Sequence, residues 1–321
     1  MNHLNEPGAS RAQPGKCVFL VNPASANGAT GRRWPELARR AASAGLEGDT
    51  ILSERPGHLG DLAREAAESG ATRLVVVGGD GTVHEVVDGL MKAGVADRVE
   101  LGMVPLGTGR DFARSVRIPT RLDSALEVAR SGTVRTIDVG RATYTTEAGE
   151  AVAHFANFAG AGISGAIARR ANGTSKALGG RVSFMWATLA VFSRWQPAEM
   201  TVEIDGEARQ ARLLEALAMN GDYTAGGMWI APEAGLDDGS FDVVLIGDFS
   251  KAEFATTFPK IYRGTHVSHA KVEIVRAREL RVDAPEPLPI VVDGEQPGTT
   301  PVRFELLPSA LRVLVPPDAA T

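Results

Sequence analysis

The sequence lacks the features that would point to a secreted, membrane-spanning or nucleic-acid-binding protein. Its 321 residues include one cysteine, so no disulfide can form within the chain, which favours a reducing compartment. No apolar run reaches the roughly 20 residues that a transmembrane helix needs. The net charge of -5 argues against nucleic acid as the main partner. These absences indicate a soluble or peripheral protein, and its length suggests about two domains.

The most informative stretch runs from Leu74 to Asp88 and reads LVVVGGDGTVHEVVD. An apolar segment runs into a glycine turn, and a helical pattern begins at Thr82, so the order predicts a buried strand, a tight turn and a helix start. The backbone N–H groups of such a turn and the helix N-terminus attract anions, phosphate above all. An acidic residue at this place indicates an accompanying cation, so Asp80 predicts Mg²⁺ bound with a nucleotide.

A second glycine-containing stretch, Val104 to Ser115, reads VPLGTGRDFARS. GGDGTVHEVVDGL followed some twenty residues later by PLGTGxDFAR resembles the bacterial diacylglycerol kinase (lipid kinase) family, which is related to sphingosine kinases and, more distantly, to NAD kinases. Arg110 stands where that family usually has Asn. The resemblance extends, more weakly, from about Lys16 to the C-terminus.

The resemblance implies a two-domain lipid kinase with its active site in the cleft between the domains. The implied activity is the ATP- and Mg²⁺-dependent phosphorylation of the hydroxyl of diacylglycerol or a related lipid alcohol, which gives a phosphatidate-type product. The implied partners are ATP, the lipid alcohol and a membrane surface, with no nucleic acid, and a homodimer is left open. The implied location is cytoplasmic and peripheral to the membrane.

The hydrophobic patterning predicts where the two domains lie. From residue 16 to 133, strands and helices alternate, which predicts an α/β nucleotide-binding domain with a parallel sheet layered by helices. Short β-patterned segments dominate residues 134–308 and predict a mostly β, sandwich-like second domain for the lipid. The resemblance implies that a last strand at 309–316 returns to the first domain. Residues 1–15 are polar and predict a disordered leader.

The resemblance also implies that three loops bind the nucleotide, two of them being the glycine-containing stretches GGDGT and PLGTG. The other loop follows the first strand and resembles the family's NPxSG loop, with Ala26 where Gly is usual. Ser53 lies just past a short strand, where the family places a hydroxyl near ATP. The implied ATP-binding residues are Asn22, Pro23, Ala24, Ser25, Ser53, Gly78, Gly79, Asp80, Gly81, Thr82, Val83, His84, Glu85, Gly107, Thr108, Arg110 and Asp111.

Several of these residues have an alternative structural interpretation. Glu85 follows Thr82 by three residues, so the two predict a helix capping box as readily as a nucleotide or metal contact. A lone histidine such as His84 is more often a surface residue than a ligand. Asp111 predicts an N-terminal helix cap as readily as an active-site role.

A turn in the second half, PEAGLDDGSF from Pro232 to Phe241, resembles the family's acidic turn that binds a structural Mg²⁺. The resemblance implies a carboxylate ligand from Asp238 and backbone oxygens from Gly235 and Ser240, which suit a hard cation. An Asp-Gly pair between strands equally predicts a plain hairpin turn.

The segment Val292 to Glu295 matches the family's late DGE motif. Deprotonating a lipid hydroxyl requires a carboxylate within hydrogen-bond reach, so the candidate catalytic residues are Asp80 with Asp293 and Glu295. The motif leaves open whether Asp293 or Glu295 takes the proton.

Two other functions compete with lipid phosphorylation. An NAD kinase would share GGDGT, although the pairing of PLGTGxDFAR with DGE fits it poorly. A catalytically silent nucleotide- or lipid-binding protein is the other alternative, because Arg110 changes the charge and hydrogen bonding at the nucleotide loop. Lipid pockets are lined by generic apolar residues, so the acceptor cannot be read from the sequence.

Overall fold

A computed structural model describes residues 16–107, 109–172 and 180–319. The expected leader, residues 1–15, lies outside the described residues. So does Thr108, an implied phosphate-binding residue of the second glycine loop.

The first half of the chain alternates strands with helices. Its elements are β1 (Lys16–Val21), α1 (Ala29–Ser43), β2 (Asp49–Leu52), α2 (His58–Glu68), β3 (Ala71–Gly78), α3 (Asp80–Ala93), β4 (Glu100–Pro105), α4 (Asp111–Ser115) and α5 (Leu122–Ser131). The four strands pair in parallel in the order β2-β1-β3-β4. β3 is buried almost throughout, which accounts for its continuous run of apolar residues.

The helix after the first glycine turn begins earlier than the sequence predicts. α3 starts at Asp80 rather than Thr82, and Gly79 is its N-cap. The turn is therefore compressed into Gly78 and Gly79, which brings the helix N-terminus directly to the end of β3.

The second half of the chain is mostly strands. Its elements are β5 (Thr133–Thr146), β6 (Gly149–Phe155), β7 (Phe158–Gly162), α6 (Ile163–Asn172), α7 (Gly180–Phe192), β8 (Ala198–Ile204), β9 (Glu207–Met219), β10 (Tyr223–Thr224), β11 (Met228–Trp229), β12 (Phe241–Gly247), α8 (Lys251–Ile261), β13 (Val272–Ala277), β14 (Glu279–Asp283), β15 (Ile290–Val292) and β16 (Thr299–Val315). Neighbouring strands here pair antiparallel.

Two long strands join the halves into one sheet. β16 pairs antiparallel with β5 along nearly its whole length, and Arg312 and Val313 near its end also pair in parallel with β4. A separate last strand, beginning at residue 309, was expected here. The structure instead has one strand with an irregularity between Leu307 and Leu311, where Ser309 takes a left-handed φ of 50°. The Ser309 N–H donates to the buried Asp138 Oδ1, and this bond accommodates the irregularity.

The expected fold class is confirmed: an α/β part with a parallel sheet is joined to a β-rich second part. The apolar residues form separate clusters in the two halves, and the cluster of the first half includes residues from the end of β16. None of the helices within residues 16–107, 109–172 and 180–319 combines the length and the apolar character that crossing a membrane requires.

Candidate active site

One large cavity, of about 1270 Å³, lies between the two halves of the chain. At one end it is lined by the turns that follow β1, β3 and β4, together with the turn that follows β15. At the other end its walls are apolar and come from α6, α8, β9 and β12, with Ile163, Ile167, Leu217, Phe254 and Phe258 among them. The cavity therefore joins a polar, glycine-rich region to an apolar one.

The two glycine loops pack backbone against backbone. A Cβ added to Gly79 would lie 3.1 Å from Gly107 Cα, and a Cβ added to Gly107 would collide with the backbone of Gly79. Larger residues at either position would separate the loops. The glycines thus allow the ends of β3 and β4 to form one surface at the carboxyl edge of the parallel sheet, where ligands bind in α/β proteins.

Asp80 fixes the second glycine loop to the first. Its Oδ2 accepts a hydrogen bond of 3.1 Å from the Asp111 N–H, and its Oδ1 accepts one of 3.2 Å from the Phe112 N–H. The carboxyl therefore caps α4 from another element. Burial, followed by the nearby Asp111 charge, raises the pKa of Asp80 to about 7 in spite of these two bonds. Metal binding by Asp80 stays a prediction, but this cap is a structural role that the motif did not indicate.

α4 also connects the glycine loops to the second half of the chain. Gly226 N–H donates to Asp111 Oδ2 at 2.6 Å, and Ser115 Oγ donates to Asp222 Oδ1 at 2.7 Å. Arg114 pairs with Asp111 Oδ1 at 2.7 Å and also lies over the ring of Tyr223. Burial raises the pKa of Asp111. α4 begins at Asp111 with Arg110 as its N-cap and has no side-chain cap of its own, so Asp111 does not cap the helix and instead bridges the two halves.

The loop after β1 is held by Asn22. Its Nδ2 donates to Thr82 Oγ1 at 3.2 Å, and its Oδ1 accepts from the Ala24 N–H at 3.0 Å. Ala26 has a left-handed φ of 52°, a conformation that glycine adopts without steric cost. Glycine would therefore suit this position, and Ala26 accepts the strained conformation instead.

Asp293 is held tightly by backbone donors. The N–H groups of Asn157 and Phe158 donate to its Oδ1 at 3.1 and 2.9 Å, and the Ala156 N–H donates to its Oδ2 at 3.0 Å. Asp293 itself has a left-handed φ of 45°. These bonds fix the turn after β15 against the segment between β6 and β7.

His84 of α3 faces Asp293 across the cleft, with 3.6 Å between its Nδ1 and Asp293 Oδ2. The imidazole is mostly buried, with 12% of its side chain exposed, contrary to the usual expectation that a lone histidine is a surface residue. Burial alone would lower the pKa of His84, but the charges of Asp293, Asp88 and Glu295 outweigh it and raise that pKa. The cleft thus holds an imidazole against a carboxylate of the other half, and the two form an ion pair when His84 is protonated.

Glu295 lies on the same turn as Asp293 and also lines the cavity. Backbone bonds of 2.9 Å join Val292 and Glu295 in both directions and close the turn. A Cβ added to Gly81 would lie 3.7 Å from Glu295 Oε1, which places this carboxylate beside the first turn of α3. The DGE motif and the GGDGT motif therefore meet in space.

The capping box proposed for Glu85 and Thr82 does not form. α3 has no side-chain cap, and Glu85 Oε2 instead accepts a bond of 3.2 Å from the Leu59 N–H at the start of α2. The two helices approach closely because Gly60 faces Gly89. Glu85 therefore caps the neighbouring helix, while still lining the cavity.

The structure brings most of the implied nucleotide residues to the cavity. Those that line it are Asn22, Ala24, Ser25, Gly79, Asp80, Gly81, Thr82, Val83, His84, Glu85, Gly107 and Asp111. Pro23, Ser53, Gly78 and Arg110 do not line it. Ser53 is buried, and Arg110 Nε folds back to donate to the Gly107 carbonyl at 3.1 Å. Nucleotide binding by all these residues stays a prediction.

The acidic turn lies away from the cavity, and its polar groups are already bonded to one another. Asp238 Oδ1 accepts from the Ser240 N–H at 3.1 Å and from its hydroxyl at 3.0 Å, while Asp238 Oδ2 pairs with Arg276. The guanidinium supplies a positive charge where a cation would bind, so this arrangement does not fit Mg²⁺. Within the part of the chain that the structure describes, no group of three or more His, Cys, Asp or Glu could hold a metal. Magnesium binding by Gly235, Asp238 and Ser240 therefore stays an untested prediction, which this arrangement does not support.

Three polar residues near the cleft were not among the predicted site residues. Asn220 is fully buried, and its Nδ2 donates to the carbonyls of Asp138 and Ala156, which supports the segment that holds Asp293. Asn157 Nδ2 donates to the Tyr223 carbonyl at 2.7 Å. The third residue, Glu215, lines the apolar end of the cavity. Only Glu215 carried a local signal, namely a charged residue inside the apolar run LLEALAM.

Fold and site together define a two-domain protein in which the glycine loops meet the turn that carries Asp293 and Glu295 in a cleft. Residues 16–142 match the diacylglycerol kinase catalytic domain, and residues 157–315 match the YegS C-terminal NAD kinase beta sandwich-like domain. The chain therefore belongs to the diacylglycerol kinase family, which is a family of phosphotransferases.

Individual relatives match nearly the whole chain. A diacylglycerol kinase from Staphylococcus carnosus is 27% identical over 300 residues, which are 94% of this chain and 95% of that protein. A diacylglycerol kinase from Bacillus subtilis is 28% identical over 303 residues, 94% of this chain and 97% of that protein. A crystal structure of a diacylglycerol kinase from Bacillus anthracis has a TM-score of 0.70 at 20% identity and covers 96% of this chain and all of its own, so it resembles this fold.

Proposed function

We propose that this protein transfers the γ-phosphoryl group of ATP to the hydroxyl of diacylglycerol or a related lipid alcohol. The observation that carries the proposal is the continuity of the cavity. Glycine loops with a helix N-terminus, which suit phosphates, open into the same space as walls of Ile, Leu and Phe, which suit acyl chains. The turn that carries Asp293 and Glu295 lines the same cavity, and a lipid hydroxyl beside this turn would meet the terminal phosphate. The names of the curated relatives agree with this substrate class.

Glu295 is the proposed proton acceptor. Three backbone donors already occupy the oxygens of Asp293, so that residue serves to position the turn. Glu295 lines the cavity beside Gly81 and can approach a lipid hydroxyl there. A carboxylate in this role contributes about 10²- to 10⁴-fold to the rate.

The glycine loops are proposed to hold the phosphates of ATP. The N-terminal turn of α3 lines the cavity together with the loops after β1 and β4, and the helix dipole adds a partial positive charge there. Magnesium bound with ATP would supply charge neutralisation at the phosphates. The fold of Arg110 onto the Gly107 carbonyl takes its guanidinium out of the cavity lining, which favours an active enzyme over a silent binder.

A peripheral membrane contact is proposed as well, because the acceptor would be a membrane lipid. α7 carries Thr188 toward the cavity and exposes Trp186 and Leu189 to solvent. Tryptophan and leucine on one surface suit the boundary between water and lipid.

The test is a radiolabelled-ATP assay against a panel of lipid alcohols, sphingoid bases and NAD, with and without Mg²⁺. We expect label in a lipid alcohol, and Glu295→Gln should lower kcat by at least about 100-fold with little change in the melting temperature. Glu207→Gln, at an exposed carboxylate outside the cavity, is the matched control. Label in NAD alone, or in nothing although ATP binds, would refute the proposal.

A further inference from the structure

Glu215 is a carboxyl group in an apolar setting that the proposed chemistry does not use. It lies in β9 within the run LLEALAM, is only 2% exposed, and lines the cavity together with Leu217. Burying a carboxyl without need costs several kcal/mol, so its position requires a reason.

The surrounding strand leaves space for this side chain. Glu215 pairs with Gly162 of β7, and Cβ atoms added to Gly160 and Gly162 would lie 3.0 Å from its Oε1 and 3.3 Å from its Oε2. Two glycines therefore make room for the carboxyl on the cavity side of the sheet.

Ser164 is the bonding partner of Glu215. The Ser164 N–H, in the first turn of α6, bonds Glu215 Oε2 at 2.6 Å, and the Ser164 hydroxyl bonds Oε1 at 2.8 Å. A carboxyl group offers about four lone-pair positions, and these bonds use two of them. The pair thus keeps hydrogen-bonding capacity on the side that faces the cavity.

The protonation of Glu215 indicates the kind of group that would fit. Burial raises the pKa of Glu215 to about 8, in spite of both Ser164 bonds, so the carboxyl is mostly protonated at neutral pH. A protonated carboxyl both donates and accepts hydrogen bonds. A hydroxyl does the same, so it complements this group better than a cation or a second carboxylate would.

The distance from the reacting end of the cavity decides which part of a lipid reaches Glu215. β7 runs from Phe158, whose N–H bonds Asp293, to Gly162, which pairs with Glu215. Four residues of strand span about 13 Å. A lipid whose reacting hydroxyl lies beside Asp293 and Glu295 would therefore bring the middle of an acyl chain, rather than its head group, to Glu215.

We propose that Glu215 and Ser164 form a polar recognition site in the apolar part of the cavity, which binds a hydroxyl group carried partway along the chain of the acceptor lipid. This inference rests on the proposed lipid kinase function and refines its substrate class. A lipid with a plain chain leaves the carboxyl unpaired on its cavity side, whereas a hydroxylated chain completes the hydrogen bonds.

The test compares two acceptors that differ only in chain hydroxyl groups, dioleoylglycerol and diricinoleoylglycerol. One neutral hydrogen bond is worth about 0.5–1.5 kcal/mol, so wild type should prefer the hydroxylated lipid by roughly 2- to 13-fold in kcat/KM. Glu215→Leu should bring the ratio to about one, whereas Asp242→Asn, at a buried carboxyl on β12 that does not line the cavity, should leave it unchanged.

Displacement of a fluorescent diacylglycerol, measured without ATP, provides a readout that does not need catalysis. The same preference should appear in wild type and vanish in Glu215→Leu. Equal ratios in wild type and variant, together with a lower melting temperature, would show that Glu215 only caps α6 and would overturn the inference. If the binding preference is present but no lipid is phosphorylated, the proposed function fails and the recognition site stands. The wild-type ratio alone decides the matter if the leucine variant does not fold.

Discussion

Replacing Asp80 by asparagine tests the coupling between the two glycine loops most directly. The aspartate bonds the N–H groups of Asp111 and Phe112 with its two oxygens. Asparagine keeps the shape but has one oxygen, so one of the two N–H groups at the start of α4 loses its acceptor. That loss costs about 1–3 kcal/mol.

Removing the charge of Asp80 has the opposite effect and stabilises the folded protein. Burial raises the pKa of Asp80 from 3.8 to about 7 in the folded protein, so the ionised form is disfavoured by folding. At 1.36 kcal/mol per pKa unit, this amounts to about 4 kcal/mol above pH 7. Because the folded pKa is raised, the contribution of Asp80 to stability is full below about pH 4 and is lost as the pH rises through about 7. Asparagine stays neutral and avoids this loss.

The two effects together predict that Asp80→Asn becomes more stable relative to wild type as the pH rises. At about pH 5.5 the charge effect is about 2 kcal/mol and balances the lost bond, whereas at about pH 8.5 it exceeds that bond. The stability of Asp80→Asn relative to wild type should therefore rise by about 2 kcal/mol between these values. Urea unfolding of the ATP-free proteins measures this, with the exposed Asp97→Asn as control. A difference that stays constant with pH would show that Asp80 is ionised and well solvated, and would refute the argument. Kinase activity should be lost in Asp80→Asn at both values, and also in Asp80→Ala.

Three further outcomes are expected. Arg110→Asn should change the Michaelis constant for ATP more than that for lipid, because Arg110 bonds the second glycine loop; a change confined to lipid kinetics would contradict this. Asp293 helps raise the pKa of His84, so this pair stabilises the folded protein below about pH 6.5 and no longer does so above the folded pKa. In His84→Asn the melting temperature should therefore depend less on pH than it does in wild type. Truncation after Leu307 should lower hydrogen-exchange protection in residues 16–77, because β4 would lose a neighbour; loss confined to residues beyond 133 would argue otherwise.

The sequence predicted those parts of the fold that depend on local chemistry. Gly78 and Gly79 after an apolar run require a tight turn, and the alternation of strands and helices requires a layered parallel sheet. The structure confirms the fold class, and the matching domains confirm the family. The start of α3 was misplaced by two residues, because helix periodicity does not define the first turn.

Partners distant in sequence were not predictable. Glu85 bonds Leu59, which is 26 residues earlier, although a local capping box with Thr82 looked equally good. The continuity of β16 through Ser309 depends on pairing with β5 and on Asp138, and both lie in another part of the chain. The ion pair between Asp238 and Arg276 also depends on strand pairing, because β12 and β13 are adjacent in the sheet.

The long pair of β5 and β16 has a consequence for how the cleft works. Both strands run through the two halves of the chain, so the halves share one hydrogen-bonded sheet instead of meeting at a single linker. Bonds from Asp111 to Gly226 and from Ser115 to Asp222 add a second connection on the cavity side. A hinge would have to break strand pairing or leave these buried groups unpaired, and each lost bond costs about 1–3 kcal/mol. The position of the turn that carries Asp293 and Glu295, beside the glycine loops, is therefore set by the fold before any ligand binds. Phosphoryl transfer requires such preorganisation.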